Sequence, residues 1–329
     1  MADASYHVAA IGNAIVDILI HCDDALPGRL GFSKGVMTLI GGDQVESVYG
    51  ALPSAIECSG GSAANTIVGI AQLGLKTAYM GKVKDDQLGQ VFRHDIQSSG
   101  VHFPTPSAID GAATAQCFVL VTPDAQRTML TFLGACVNFG PDDVDERVIA
   151  DSQITYLEGY LFDPPHAKEA FRKAARVAHQ AGRKVALSLS DPFCVGRHRA
   201  EFLDLIAGHV DILFANEDEL IALYQTAGFD DAVTQVQGHV DIAAITRGSR
   251  GSVVVSSDKI VTALADHVEQ VVDTTGAGDL YAAGFLAGLG QGRDFQTCAQ
   301  MGGIAAGEII SHLGARPVTD LAQLVRSKL

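Results

Sequence analysis

Two aspartates bracket three small residues in the stretch Asp273-Thr274-Thr275-Gly276-Ala277-Gly278-Asp279. The run before it, 267–272, is rich in β-formers, and the run after it, 280–287, suits a buried helix. This order predicts a strand, a tight turn and a helix whose first amides lack intrahelical partners. Such a helix start attracts anions, phosphates above all. A carboxylate at Asp279 would repel a phosphate bound there, which makes sense if its task is to take a proton from an attacking hydroxyl. The plainer alternative is an acidic first-turn residue favoured by the helix dipole. These seven residues alone leave both readings open.

Three further loops and one polar interruption suit the same kind of chemistry. In Gly12-Asn13-Ala14-Ile15-Val16-Asp17-Ile18, Asn13 and Asp17 interrupt an apolar run. A carboxylate there is costly to bury unless hydrogen-bonded, and a polyhydroxyl ligand would supply donors; a strand with Asp17 facing water is the alternative. In 59–74, Gly60 and Gly61 permit close approach of a ligand, Ser62 is placed to cap a helix, and Asn65 lies one turn in. In 214–220, Asn216 and Glu219 have capping-box spacing, with water-mediated Mg²⁺ binding as the functional alternative. In 246–251, Thr246, Gly248 and Gly251 form a turn between two strands, with Arg247 and Arg250 available to phosphates.

Positioning these loops requires an α/β frame. Strand-like runs fall at 7–11, 76–80, 154–158, 184–189, 210–214, 242–246 and 252–255. Helical periodicity falls at 62–73, 87–98, 165–181, 199–207, 217–226, 279–289 and 295–312. The alternation implies a largely parallel central sheet with helices on both faces. The stretch 114–132 reads as a hairpin around Pro123 and Asp124, to which 15–22 and 35–40 could add strands. We therefore expect one domain over 1–329, with a small β lid built from segments near 14–45 and 101–133. In open α/β sheets ligands bind beyond the carboxyl ends of the strands, where most of these loops fall.

Bulk composition narrows the function classes. The 329 residues are 47% hydrophobic, enough for a large core, and 23 Lys plus Arg face 38 Asp plus Glu for a net charge of −15. Nothing basic invites a polynucleotide, whereas backbone amides can still bind a small anion. Six scattered cysteines have no metal-ligand spacing and read as reduced thiols of a cytoplasmic protein. No apolar run is long enough for a membrane span. We expect a small-molecule partner, no nucleic acid, no membrane, and a monomer or homodimer.

Taken in order, the four loop signatures resemble those of the ribokinase-like (PfkB) carbohydrate and nucleoside kinases, over essentially the whole chain. They are Gly60-Gly61-x-x-x-Asn65, Asn216-x-x-Glu219, Thr246-x-Gly248-x-x-Gly251 and the 273–279 stretch. The stretches 12–18, 59–65, 133–139, 156–163, 187–193 and 210–217 are most similar to the adenosine kinases of that family. The resemblance implies ATP-dependent, Mg²⁺-requiring phosphorylation of a nucleoside 5′-hydroxyl, adenosine to AMP in purine salvage, with K⁺ as a candidate activator near Asp273 and Gly314. It implies Asp279 as general base and Gly276, Ala277 and Gly278 as the anion hole. Asp17, with Asn13, Gly61, Ser62 and Asn65, would hold the ribose. Asn216 and Glu219 would organise Mg²⁺ through water. Thr246, Gly248, Gly251 and Thr274 would follow the ATP phosphates, and Gly303 would border the adenine. Leu133, Cys136 and Tyr160, with Leu161 and Phe162, are candidates for a slot for the acceptor's base. Met37 stands where some adenosine kinases carry a polar residue. A ribokinase- or fructokinase-type sugar kinase is the first alternative, and a nucleotide-binding regulatory protein without catalysis is the second.

Overall fold

The computed structural model describes residues 4–124 and 126–329. The strands are β1 (Tyr6–Ile11), β2 (Ile15–His21), β3 (Met37–Leu39), β4 (Ile56–Gly60), β5 (Thr77–Met80), β6 (Val101–His102) and β7 (Ala115–Val121). They continue with β8 (Arg127–Phe132), β9 (Ser152–Glu158), β10 (Lys184–Ser188), β11 (Ile212–Asn216), β12 (Ile242–Thr246), β13 (Ser252–Ser256) and β14 (Ile260–Ala263). The first helices are α1 (Leu26–Arg29), α2 (Gly42–Gly50), α3 (Ser62–Gln72), α4 (Gln87–Ser98), α5 (Glu146–Ala150) and α6 (Pro165–Gln180). The rest are α7 (Pro192–His209), α8 (Glu217–Tyr224), α9 (Phe229–Val236), α10 (Ala277–Gly290), α11 (Phe295–Ile309) and α12 (Leu321–Lys328).

Nine strands form the main sheet, in the order β14-β13-β12-β11-β10-β9-β1-β5-β6. Pairing is parallel from β6 to β12 and antiparallel across β12, β13 and β14. Alternation along β1 shows why both faces are covered. Val8 and Ala10 join a core with α3, α10 and α11, while Ala9 and Ile11 join one with α6, α7, α8 and α9. Helices α10 and α11 approach so closely that a Cβ on Gly284 would overlap the backbone of Met301. Small residues in this pair are therefore a packing requirement.

The expected extra sheet exists, in the order β3-β8-β7-β2-β4. Strands β2 and β3 do add to the β7–β8 hairpin, and β4 is an additional member. One face of this sheet, through Val16, Ile18, Ile20, Phe118 and Leu120, shares the core of α3 and α10. The other carries Ile15, Asp17 and Leu19 on β2 and a small patch of Cys117, Val119 and Val121.

Two expectations need correction. The run 267–272 is not a strand of either sheet, although Val272 and Asp273 donate amides to Ile310 O. Its β-formers have no neighbouring strand, and Val271 stays exposed. Helix 199–207 is the second half of α7, which bends at His198 (φ −121°, ψ 20°).

Candidate active site

Strand β1 ends at Ile11, and residues 12–14 carry the chain from the main sheet to β2. This places Asp17 on the small sheet, directly opposite Cys58 on β4 and Cys117 on β7. The Asp17 carboxylate leans over Gly60, where a Cβ would overlap it. Gly61 has φ +95°, and a Cβ there would strike Asn13 O. Each glycine of the pair thus has a steric reason, the first to seat Asp17 and the second to let the chain turn. Burial pushes the Asp17 carboxyl up to about 7, with Arg316 pulling it down and Asp279 pushing it further up.

Asp279 stands in the first turn of α10, just after Gly276 in the left-handed region (φ 75°). Ser62 Oγ donates to Asp279 Oδ1 at 2.6 Å, and Asn65 Nδ2 donates to Oδ2 at 3.0 Å. Thr66 Oγ1 donates to the Asp279 carbonyl at 3.2 Å. The role expected of Ser62 as a cap is therefore corrected. The cap of α3 is Gly61, without a side-chain bond, and the serine holds the carboxylate of another helix. Burial raises the Asp279 pKa, opposed by Ser62, Asn65 and Arg316. Among the described residues, the amides of Gly276, Gly278 and Asp279 have no protein acceptor, and the space beside Gly278 is open. A base next to unpartnered helix-start amides can deprotonate a hydroxyl and receive an anionic group at one place.

Glu158, at the end of β9, was not singled out in sequence. It accepts from Asn13 N at 3.2 Å, from Asn13 Nδ2 at 2.8 Å and from Ala63 N at 2.8 Å. Asn13 is buried by this contact, so it braces the two acceptor loops from behind. Burial pushes Glu158 up to about 7, against those donors. The reasoning that flagged Asp17, a carboxylate set in an apolar run, extends to Glu158 at the end of Ile154-Thr155-Tyr156-Leu157-Glu158. Arg316 was also missed, because a single arginine in a C-terminal loop carries no local signal.

At the other end of the sheet, Asn216 and Glu219 form a complete capping box. Glu219 N donates to Asn216 Oδ1 at 2.8 Å, Asn216 N to Glu219 Oε2 at 2.9 Å, and Asn216 Nδ2 to Glu219 Oε1 at 2.6 Å. Glu219 is 5% exposed, and burial pushes its carboxyl up to about 7. No group of three or more His, Cys, Asp or Glu among the described residues is arranged to hold a metal directly. Arg247 and Arg250, expected to be free for phosphates, both pair with Glu217, Arg247 at 3.1 Å. Thr246 ends β12, while Gly248 (φ +57°) and Gly251 (φ +83°) shape the turn to β13. Gly303 faces the 264–266 segment, beside a cavity of about 420 Å³ lined by Leu264, Asp266, Gln300 and Ile304. Asp273, near the place expected for K⁺, takes Arg127 Nη2 at 2.8 Å and accepts the amides of Thr275 and Gly314. Thr274 beside it is exposed.

The pfkB family carbohydrate kinase model matches residues 52–321. The chain belongs to that family. It is a phosphotransferase acting on a sugar or nucleoside hydroxyl. Among curated relatives, the 5-dehydro-2-deoxygluconokinase of Bacillus licheniformis is 28% identical, covering 98% of this chain and 95% of its own. Two solved structures superpose with a TM-score of 0.92. An adenosine kinase from Sinorhizobium meliloti is 50% identical over 99% of this chain and 100% of its own. A probable sugar kinase from Rhizobium etli is 45% identical over 99% of each chain.

In this pfkB-family kinase the candidate slot residues differ in exposure. Cys136, Leu161 and Phe162 are sealed in the interior, and Cys136 Sγ donates to Leu133 O at 2.7 Å. Tyr160 remains 41% exposed, its amide held by Ser190 Oγ, and Leu133 is half-buried. Phe193, 81% exposed at the start of α7, is an aromatic surface that sequence reasoning did not select.

Proposed function

We propose that the chain transfers the γ-phosphoryl group of ATP to the primary hydroxyl of a neutral polyhydroxyl acceptor, with a free sugar as the first reading. The observation that carries this is the seating of Asp279 by Ser62 and Asn65 beside the unpartnered amides of the α10 start. Asp279 takes the hydroxyl proton, and those amides receive the negative charge of the migrating group. Asp17, over Gly60, accepts hydrogen bonds from neighbouring acceptor hydroxyls. Positioning and electrostatics then supply most of the rate, as in phosphoryl transfer generally. Mg²⁺ would neutralise phosphate charge when bound; since Asn216 and Glu219 are closed on each other, they would meet it only through its waters.

Neutrality follows from charge. Asp17, Glu158 and Asp279 gather at the acceptor end, and the nearby cation Arg316 has its donors engaged by Ser59 and Ala64. A gluconate carboxylate would meet like charge there. A free neutral sugar is supported by the 45% identity to the probable sugar kinase structure and by the burial of three candidate slot residues. The gluconokinase kinship speaks for the acidic sugar that the charge argument disfavours. A nucleoside, adenosine first, is the second reading. It is supported by the 50% identity to the adenosine kinase structure and by exposed Tyr160 and Phe193, which offer aromatic surface to a base. Steady-state assays with Mg-ATP against ribose, fructose, adenosine, inosine and 5-dehydro-2-deoxygluconate test both. Highest kcat/KM on a neutral sugar supports the first reading. Preference for adenosine by about a hundredfold, near 2.7 kcal/mol, establishes the second. Preference for the gluconate defeats the charge argument.

A further inference from the structure

Arg316 lies in the loop between α11 and α12, yet all its contacts are with the acceptor side. Nε and Nη2 donate to Ser59 O at 3.2 and 2.7 Å, Nη2 also donates to Ser59 Oγ at 2.8 Å, and Nη1 donates to Ala64 O at 2.7 Å. Ser59 is held in turn by Asp95 Oδ2, which accepts its amide at 2.8 Å and its hydroxyl at 2.5 Å. One guanidinium thus ties the end of β4 to the first turn of α3, on either side of Gly60, Gly61 and Ser62. Every acceptor is neutral, and no carboxylate pairs with Arg316 directly among the described residues. A partly buried cation without an ion pair is costly to desolvate, and its field reaches the nearest carboxylates with less screening than in water.

We propose that Arg316 is a positioning residue of the transfer reaction, fixing the Gly60–Gly61 loop and placing a positive charge beside Asp17 and Asp279. This rests on the roles proposed above for those two carboxylates. Charged and titratable groups around them otherwise act in the opposite sense. Asp279 faces Asp17, Glu158, Tyr156 and Tyr160, while Asp17 has the thiols of Cys58 and Cys117 across the strands. Arg316 also faces Asp95 and Cys58, and it alone lowers the pKa of both site carboxyls by charge.

The test compares kcat/KM for the acceptor from pH 5.5 to 9 in the parent, Arg316→Gln and Arg316→Lys. Losing a nearby opposite charge raises a carboxyl pKa by about one unit or more. The acid limb should therefore move up by about one pH unit in the Gln variant, costing about tenfold more at pH 6 than at pH 8.5. The Lys variant should lose rate through poorer geometry but keep the limb in place. Equal losses at every pH in both variants, with an unmoved limb, would overturn the proposal. If Arg316→Gln does not fold, an acid limb displaced in Arg316→Lys overturns it equally. Carboxyl NMR of ¹³C-labelled aspartates reads the same shift without turnover, so a parent protein inactive on every acceptor would sink the functional reading without touching this one.

Discussion

The two ends of the candidate site are assembled in opposite ways. At the acceptor end, Ser62 and Asn65 reach Asp279 from 217 and 214 positions away, and Arg316 reaches Ser59 from 257. At the donor end, Asn216 and Glu219 bond across three residues, and Glu217 collects Arg247 and Arg250 from the adjoining turn. The first geometry exists only when the whole fold is formed. The second is built from a helix start and one hairpin. Substitutions at the acceptor end should therefore change chemistry through geometry, while those at the donor end should register mainly as local stability.

Asp279→Asn gives the largest expected effect. The amide keeps the size and can still accept a hydrogen bond from Ser62 or Asn65, and the amides at the α10 start remain. The proton acceptor is lost, and a positioned base contributes about 10²–10⁴-fold. The expectation is a fall in kcat of that order, with Kd for ATP changed little, measured by steady-state kinetics and calorimetry. A kcat within about tenfold of the parent, in a folded variant that binds ATP, would falsify the base assignment.

Gly60→Ala comes next. Its methyl would overlap the Asp17 carboxylate, so either Asp17 moves or β4 shifts. Acceptor KM should rise by about tenfold or more, equivalent to about 1.4 kcal/mol, with KM for ATP within about twofold. Asp17→Ala should reproduce the split. Equal rises for both substrates would mean that the two ends are not separable in this way.

That separation also explains what was legible in the sequence. The parallel frame was readable because β1, β9, β10, β11 and β12 are short apolar runs between periodic helices. The capping box was readable because its partners lie three residues apart. The strand expected over 267–272 failed because composition cannot show whether a neighbouring strand exists. Ser62 looked like a cap for the same reason: its real partner, Asp279, is distant in sequence and adjacent only in the fold. Arg127, which reaches Asp273 from β8, and Arg316 belong to this hidden class.

At the donor end, Asn216→Ala should cost about 0.5–2 kcal/mol, the usual worth of a helix cap, read as a lower Tm with kcat nearly unchanged at saturating Mg²⁺. Glu219 adds a pH signature. Its carboxyl is raised to about 7 in the folded state from an ordinary value of 4.5. The folded protein therefore holds this proton more tightly, and the associated stability is full below about 4.5 and lost as pH rises through 7. Glu219→Gln cannot titrate there. Relative to the parent, the variant should gain stability between pH 4.5 and 7.5, which melts at both pH values will show. A parallel pH dependence in the two proteins would remove burial of Glu219 as the cause.

Arg250→Ala should have the smallest effect, and it puts the donor-end half of the comparison at greatest risk. Its side chain is 61% exposed and shares Glu217 with Arg247, which lies over the Phe229 ring at 3.9 Å. An exposed ion pair contributes about 0–1 kcal/mol, and Arg247 would still neutralise Glu217 after the substitution. Stability should change by less than about 0.5 kcal/mol, and KM for ATP by less than about threefold. Arg247→Ala should cost more, because it removes both the ring contact and the better-buried half of the pair. If Arg250→Ala instead raises KM for ATP by about tenfold with an unchanged Tm, Arg250 must leave Glu217 to meet phosphate. The donor end would then be a set of contacts that exchange partners when nucleotide arrives, and self-satisfaction in the free protein would be a resting arrangement.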